Sequence, residues 1–269
     1  VPEGDTIHRA ARTLESAIGG QLVTRFETVL APLAAVDDQE PIAGRRIERV
    51  SAAGKHLLIE FSGDLVLRTH MRMNGSWHIY RPGERWQRRR SDMRIVIATE
   101  PWVAVGFNVP VAEFHTSRSL QRQTDLRAIG PDLLAADVDF AEGVRRMRER
   151  PGMEIANVLL NQRVVAGIGN VYKSEALFME GINPFTLVGA LTDDRLDQLL
   201  RTMQTIMRRN VDEGDGGRRT TGRLAADEGL WVYSRRGEPC RRCGTPIEYQ
   251  KQGPDVRGTY WCPRCQPAG

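Results

Sequence analysis

Asn157–Phe178 reads NVLLNQRVVAGIGNVYKSEALF. Ile155, Val158 and Leu159 fall at helical spacing on its near side, and Val171, Ala176, Leu177 and Met179 on its far side. Between them lie Gly167 and Gly169, which allow close backbone approach and dihedrals other residues avoid. The stretch predicts two helices joined by a tight turn. Asn170 opens the second helix, where unpaired amides and the helix dipole favour a phosphate. A helix–turn–helix of this kind can grip DNA backbone. A plain helical hairpin with a glycine-rich turn fits the same residues. Glu175 lies five positions beyond Asn170, and its chemistry alone suits a solvated helix position equally well.

The helical period extends outward from this stretch. Asp139 and Glu142 form a capping pair ahead of Phe140, Val144 and Met147, and Pro151-Gly152 stops that helix. Gly181 and Pro184 end the helix that Asn170 opens. Thr192 is expected to cap a fourth, with Leu196, Leu199, Leu200, Met203, Ile206 and Met207 on its buried face. Glu213–Arg223, rich in Gly, Arg and Thr, has no period and reads as a mobile loop.

Before Asp139 the period is two. Gln21–Leu30, Arg46–Ser51, His56–Phe61, Leu65–Met71, Trp77–Tyr80, Met93–Thr99 and Trp102–Phe107 are short, apolar-rich and punctuated by Gly, Pro or Asp. That many short strands suggest a sandwich or a barrel. Arg81–Ser91 carries Arg85, Arg88, Arg89 and Arg90 without an apolar period, and reads as a solvated hairpin loop that could lie near phosphate.

The chain opens Val1-Pro2-Glu3-Gly4-Asp5 and passes straight into a helix with Ile7, Ala10, Ala11, Leu14 and Ile18 on one face, closed by Gly19-Gly20. If the residue before Pro2 is removed, Pro2 carries a secondary amine. An α-amino group titrates near 8 and a lysine near 10.4, so roughly a tenth of such an amine is neutral at pH 7. It can attack an aldehydic carbon and form an iminium ion. Glu3 puts a carboxyl beside it, able to move protons. An ordinary helix start, with Pro in the first turn and acids at the positive end, fits the same five residues.

The 269 residues suffice for two domains, and no apolar run spans a membrane. No secretory signal is visible, so a cytoplasmic protein is expected. Net charge is +4 and pI about 9.1, which permits a nucleic-acid partner without requiring one. Only three lysines occur, Lys55, Lys173 and Lys251, among many arginines. A lysine that persists against such a bias points weakly to a need for its compact, titratable ammonium.

All four cysteines lie near the end. Cys240-Arg-Arg-Cys243 and Cys262-Pro-Arg-Cys265 form two CxxC pairs, a pattern for one structural, tetrahedral, four-cysteine zinc site. With four thiolates on the metal, no position is left for a catalytic water. Zinc stabilises a unit too small for much core. Tyr249, Lys251, Val256, Thr259, Tyr260 and Trp261 between the pairs fit a β-hairpin, and Arg257 just before the second pair is held firmly enough to contact phosphate. A plain surface arginine is the competing reading.

Together these stretches resemble the formamidopyrimidine-DNA glycosylase and endonuclease VIII family of DNA repair enzymes over essentially the whole length. The residues that carry the resemblance are Pro2-Glu3-Gly4, Gly54-Lys55-His56, His70-Met-Arg-Met-Asn-Gly-Ser76, Leu160-Asn-Gln162, Gly167-Ile-Gly-Asn170-Val-Tyr-Lys-Ser-Glu175 and Arg257-Gly-Thr-Tyr-Trp-Cys262-Pro-Arg-Cys265-Gln266. The resemblance implies an α+β multidomain fold: an N-terminal helix plus β-sandwich over 1–135, a helical domain with a helix–two-turn–helix over 136–228, and a four-cysteine zinc-finger hairpin over 229–269.

The resemblance also implies roles. Pro2 is the expected nucleophile at C1′ of the damaged nucleotide, and Glu3 the acid that assists base loss and ring opening. Lys55 matches a lysine that contacts phosphate and aids proton transfer. Glu175 matches a second acidic residue near the active site. Asn170 and Arg257 match the grips on phosphates flanking the lesion, and Met73 the wedge inserted as the nucleotide flips out. The C1′ iminium acidifies the neighbouring proton; β-elimination then cuts one side of the sugar and δ-elimination the other. The expected protein is a monomer on damaged DNA in the bacterial cytoplasm and nucleoid, with one structural zinc and no membrane partner.

Two departures matter. The purine-directed branch carries Asp-Pro-Arg-Arg-Phe-Gly in the second half of its sandwich, where this chain has Gly106-Phe-Asn-Val-Pro110. With the Pro-Glu-Gly-Asp-Thr start, this favours the endonuclease VIII branch, hence oxidised pyrimidines and abasic sites over oxidised guanine. The other departure is Val1, since a proline acylated by Val1 has no amine for the iminium. Val1 fits a start codon read literally and later removed, and equally a residue that disables the chemistry. In the latter case the chain is a zinc-containing binder of damaged DNA without catalysis.

Overall fold

The computed structural model describes residues 2–213, 218–221 and 229–268. Val1 and most of Glu213–Arg223 lie outside the described residues. The chain forms two compact units, Val1–Ala128 and Ile129–Gly269. No helix among the described residues is long and apolar enough to cross a membrane.

The first unit begins with α1 (Gly4–Ile18) and continues through β1 (Arg25–Thr28), α2 (Ala31–Gln39), β2 (Ile47–Ala53), β3 (His56–Phe61), β4 (Leu65–His70), β5 (Ser76–Tyr80), β6 (Met93–Ala98), β7 (Val103–Phe107), β8 (Val111–His115), α3 (Ser117–Arg122) and α4 (Thr124–Arg127). The eight strands make two antiparallel sheets, ordered β2-β3-β4-β8 and β1-β6-β7-β5. Leu57, Ile59, Phe61 and Leu67 of the first meet Phe26, Ile95, Ile97 and Ala104 of the second, so the choice between sandwich and barrel falls to the sandwich. Ile7, Ala11, Leu14 and Ile18 of α1 join the same core. At roughly 1.5–3 kcal/mol per buried large aliphatic side chain, this inner layer dominates the unit's stability.

All seven sequence-predicted strands are present: His56–Phe61 keeps its bounds, β2 runs on to Ala53 and β5 begins at Ser76, and the other four are trimmed at their ends. Arg81–Ser91 is more than a solvated loop. Trp86 packs on Tyr80 and Phe107, with ring centroids 6.4 and 5.6 Å away. It covers a second cluster on the outer face of the sheet, made of Met93, Val96, Ala98, Val103 and Val105. The loop's arginines remain exposed.

The second unit holds α5 (Phe140–Arg148), α6 (Ile155–Leu160), α7 (Asn170–Met179), α8 (Asp193–Asp212), β9 (Glu248–Gln252) and β10 (Arg257–Trp261). Asp139 accepts a hydrogen bond from the Glu142 amide, and Thr192 from the Arg195 amide, so both expected caps form. The helices share one core, with Leu159, Ile168, Leu177, Leu200 and Met203 wholly or almost wholly buried. Gln162 braces the turn between α6 and α7: its amide donates to the Leu160 and Ile168 carbonyls and accepts from the Gly167 amide. Gly167 itself has φ +88°, a conformation that favours glycine.

Candidate active site and nucleic-acid interface

In the first unit, Glu3 is the N-cap of α1 and only 1% exposed; Pro2, half-buried, precedes it. Asp5, fully buried in the first turn, lies 3.8 Å from Arg9 and suits the positive end of the helix. The register of α1 on β2 aims this terminus. The Gly20 amide donates to the Ile47 carbonyl at the start of β2, and Glu15 accepts from the Val50 amide at its middle. From Glu15 back to Pro2 is about 19 Å of helix, and from Val50 to Lys55 about 16 Å of strand. The helix start and the Gly54-Lys55 turn are thereby carried toward the same end of the sandwich. Gly54, at φ +57°, makes the two-residue turn between β2 and β3 possible and sets Lys55 at its tip.

His56, next to Lys55, pairs across the sheet with His70, the last residue of β4. The loop that follows carries Met73, half-exposed, at the same end. Burial, then Arg68, His70 and Arg72, lowers the pKa of His56 to about 3. Burial, then Arg72, Lys55 and Arg68, lowers that of His70 to about 4. Both imidazoles are neutral at pH 7, so positive charge here comes from Lys55, Arg68 and Arg72. Glu113 offsets Arg68 from 3.5 Å. Such a surplus attracts phosphate. Met73 shares a depression of about 380 Å³ with Arg72, Asn74, Asn108 and Pro110. The Gly106–Pro110 departure thus borders the candidate wedge.

In the second unit, Asn170 and Arg257 are brought together. The Asn170 side-chain amide donates to the Gly258 carbonyl at 2.6 Å, which sets the exposed Arg257 beside the N-terminus of α7. The Asn170 Oδ1 is buried without a partner. Beneath them runs a buried polar chain that the sequence did not announce. The Lys173 Nζ donates to Thr259, Thr259 to Gln252, and Gln252 to Glu154, at 2.7–2.8 Å. The lysine count flagged Lys173 without giving it a task; it ties α7 to the hairpin.

Glu175 does not face a groove. It is fully buried, and its carboxylate accepts hydrogen bonds from the backbone amides of Trp231, Val232 and Tyr233 at 2.7–2.9 Å and from the Thr220 hydroxyl. Four donors fill the acceptor capacity of a carboxylate. The arrangement is a brace on the segment leading to the cysteines. Within Glu213–Arg223, Thr220 is likewise fixed, its amide donating to the Gly229 carbonyl.

Cys240, Cys243, Cys262 and Cys265 place their sulfurs within 4.8 Å of one another, with Cys240–Cys265 at 3.9 Å and Cys243–Cys262 at 3.4 Å. Four thiolates at Zn–S distances of about 2.3 Å need such spacing, so the donor set fits one tetrahedral zinc. The Arg242 and Cys265 amides point at Cys240 and Cys262 sulfurs, as thiolates require.

Comparison with known families accounts for the same three regions. Residues 1–130 match the formamidopyrimidine-DNA glycosylase N-terminal domain, 129–222 the formamidopyrimidine-DNA glycosylase H2TH domain, and 237–268 the zinc finger found in FPG and IleRS. The chain belongs to the formamidopyrimidine-DNA glycosylase and endonuclease VIII family. It is 39% identical to a probable endonuclease 8 2 of Streptomyces coelicolor, over 99% of this chain and 94% of that protein. It is 37% identical to the DNA-(apurinic or apyrimidinic site) lyase Nei2 of Mycolicibacterium smegmatis, over all of both. A structure of Lactococcus lactis Fpg with DNA containing an abasic site superposes with TM-score 0.83 at 25% identity, over 99% of this chain and all of that one. Membership makes this a DNA-repair enzyme of the glycosylase and lyase class, near the endonuclease VIII branch. The family's zinc finger gives the cysteine cluster its one structural zinc.

Proposed function

We propose that the chain is a base-excision repair glycosylase with abasic-site lyase activity, acting on oxidised pyrimidines and abasic sites through the amine of Pro2. The observation that carries this reading is the placement of Pro2 and the buried Glu3 at the helix end directed toward the Lys55 turn. The amine attacks C1′ as the base departs, leaving an iminium; loss of the C2′ proton then expels the 3′ phosphate in β-elimination. A further proton loss expels the 5′ phosphate in δ-elimination. Glu3 protonates the sugar ring oxygen, and Lys55 holds a phosphate. The chemistry requires that Val1, outside the described residues, be removed.

Met73 acts as the wedge, with Asn74, Asn108 and Pro110 around it. Asn170 and Arg257 hold backbone phosphates. Glu175, given a catalytic role by the resemblance, is better read as a positioning residue, because its carboxylate is occupied. The working division keeps three parts, 1–135, 136–228 and 229–269, in a cytoplasmic monomer that meets DNA in the nucleoid.

Lesion preference follows from the missing Arg-Phe pair. Without that reader of the opposite base, the enzyme depends little on an opposite cytosine. Single-turnover rates at one stated salt concentration should rank thymine glycol, dihydrouracil, 5-hydroxypyrimidines and abasic sites above 8-oxoguanine paired with cytosine. A faster rate on 8-oxoguanine–cytosine than on every pyrimidine lesion would move the chain to the purine-directed branch.

Zinc acts here by bracing the hairpin that presents Arg257. Cys243→Ser should lower zinc content and DNA affinity together. Arg257→Ala should weaken binding severalfold with zinc at full occupancy. Metal analysis beside a binding titration reads both; zinc-depleted protein that binds and cuts normally would remove the finger from the mechanism.

A further inference from the structure

The lesion site leaves one strongly charged surface unused. Residues 81–91 hold five arginines and one glutamate, a surplus of four, equal to the formal net charge of the whole chain. The rest of the molecule is charge-balanced, and many of its arginines pair with carboxylates, as Arg45 does with Glu40, Arg148 with Asp193 and Arg201 with Asp197. The loop differs. Among the described residues, Arg85, Arg88, Arg89 and Arg90 make no ion pair, and the carboxylate of Glu84 accepts the Arg81 backbone amide instead. The four are exposed and border an open depression of about 580 Å³.

The loop is also held in place. Trp86 is seated on the outer cluster of the sheet, Arg81 stacks 3.6 Å above Trp102, and the Gln87 amide donates to the Tyr80 hydroxyl. An anchored loop keeps its guanidinium groups together at less entropic cost than a free one. The face turns away from α1, although the loop's far end comes close to the Met73 depression, where the Asn108 amide donates to the Asp92 carbonyl. It covers the side of β1-β6-β7-β5 that carries Tyr80, Val103, Val105 and Phe107, whereas α1 packs on the opposite side with Trp77 and Ile79. Guanidinium forks match phosphate oxygens, and closely spaced unpaired ones create a local field that a polyanion relieves.

We infer that the Arg85–Arg90 face binds the phosphate backbone of a DNA segment separate from the one that carries the lesion. This rests on the reading of the chain as a DNA-acting enzyme. A second hold lets the enzyme pass from one duplex to another without first being free. The ligand is a run of phosphates, so sequence and damage do not matter to it.

The test is a triple variant, Arg85→Gln, Arg88→Gln and Arg89→Gln, with Trp86 kept so that the outer cluster stays covered. A control of equal charge carries Arg49→Gln, Arg118→Gln and Arg122→Gln, all exposed and outside the face. Each neutralised phosphate contributes about 0.9 to the slope of log affinity against log salt. With all three guanidinium groups on phosphates, the loop variant should lose about 2.7 from that slope on undamaged duplex, and the control much less. Unlabelled competitor duplex should speed release of a labelled duplex from the parent and the control, but not from the loop variant. An unchanged slope and unchanged competitor response overturn the inference, as does an equal loss in both variants. So does a variant that keeps DNA binding but loses a poly-glutamate peptide, which would make the face a protein site. Borohydride trapping on a single abasic duplex reads the lesion site separately. Failed trapping with competitor-driven release intact would sink the proposed chemistry and leave this face standing.

Discussion

Borohydride will link the form beginning at Pro2 to abasic DNA, and will fail to link a form that keeps a residue before it. Iminium formation needs a nitrogen lone pair. In the shortened form the amine titrates near 8, and a useful fraction is neutral at pH 7. In the extended form the same nitrogen is an amide with its lone pair delocalised, and no titration recovers it. Trapped complex should fall to background in the extended form, because the covalent nucleophile is lost outright. Pro2→Gly, once exposed, should keep part of the trapping through its primary amine. Intact mass must accompany each sample, because a mixture of processed and unprocessed chains would imitate a weak enzyme. Strong trapping by the extended form would take the role from Pro2 and move it to Lys55.

Glu175→Ala should destabilise the second unit by several kcal/mol, since each buried donor left without an acceptor costs about 1–3 kcal/mol. Three backbone amides and the Thr220 hydroxyl lose their acceptor at once. Glu175→Gln keeps one carbonyl oxygen but turns an NH2 toward amides that also donate, so it should fall between the parent and Ala. Denaturant unfolding of the three proteins would show the order. A Gln variant with full stability and no cleavage would return Glu175 to a catalytic role and remove the brace interpretation.

What could be read beforehand divides along physical lines. The seven strands with clear alternation or a continuous apolar run were legible, because one face of each sheet must be apolar. β8 was not. Its residues Val111–His115 are half-buried or exposed along its length, as an edge strand's are, so it has no period to find. α2 escaped for a similar reason: only Leu33 is buried, and a proline stands in its first turn. The zinc ligands were legible because their geometry is written into local spacing. Asn170 and Arg257 could be named separately, but their junction through Gly258 spans 88 positions and leaves no local trace. Glu175 was the hardest. α7 is buried on nearly every side, so its sequence lacks the polar face that separates a core position from a solvated one. The partners of Glu175 lie 45 to 58 residues away.

The buried chain from Lys173 through Thr259 and Gln252 to Glu154 bears on how this protein can be re-engineered. It makes the hairpin a poor interchangeable part. A finger grafted from a relative onto these helices would bring its own residues to the positions of Gln252 and Thr259. A residue without an oxygen at position 259 would remove one acceptor from the Lys173 ammonium, which is only 1% exposed. A chimera cut between helices and finger should therefore misassemble even with all four cysteines present, unless residues 154 and 173 travel with the graft. The natural seam for exchange lies at Ala128–Ile129, where the chain passes from one compact unit to the next.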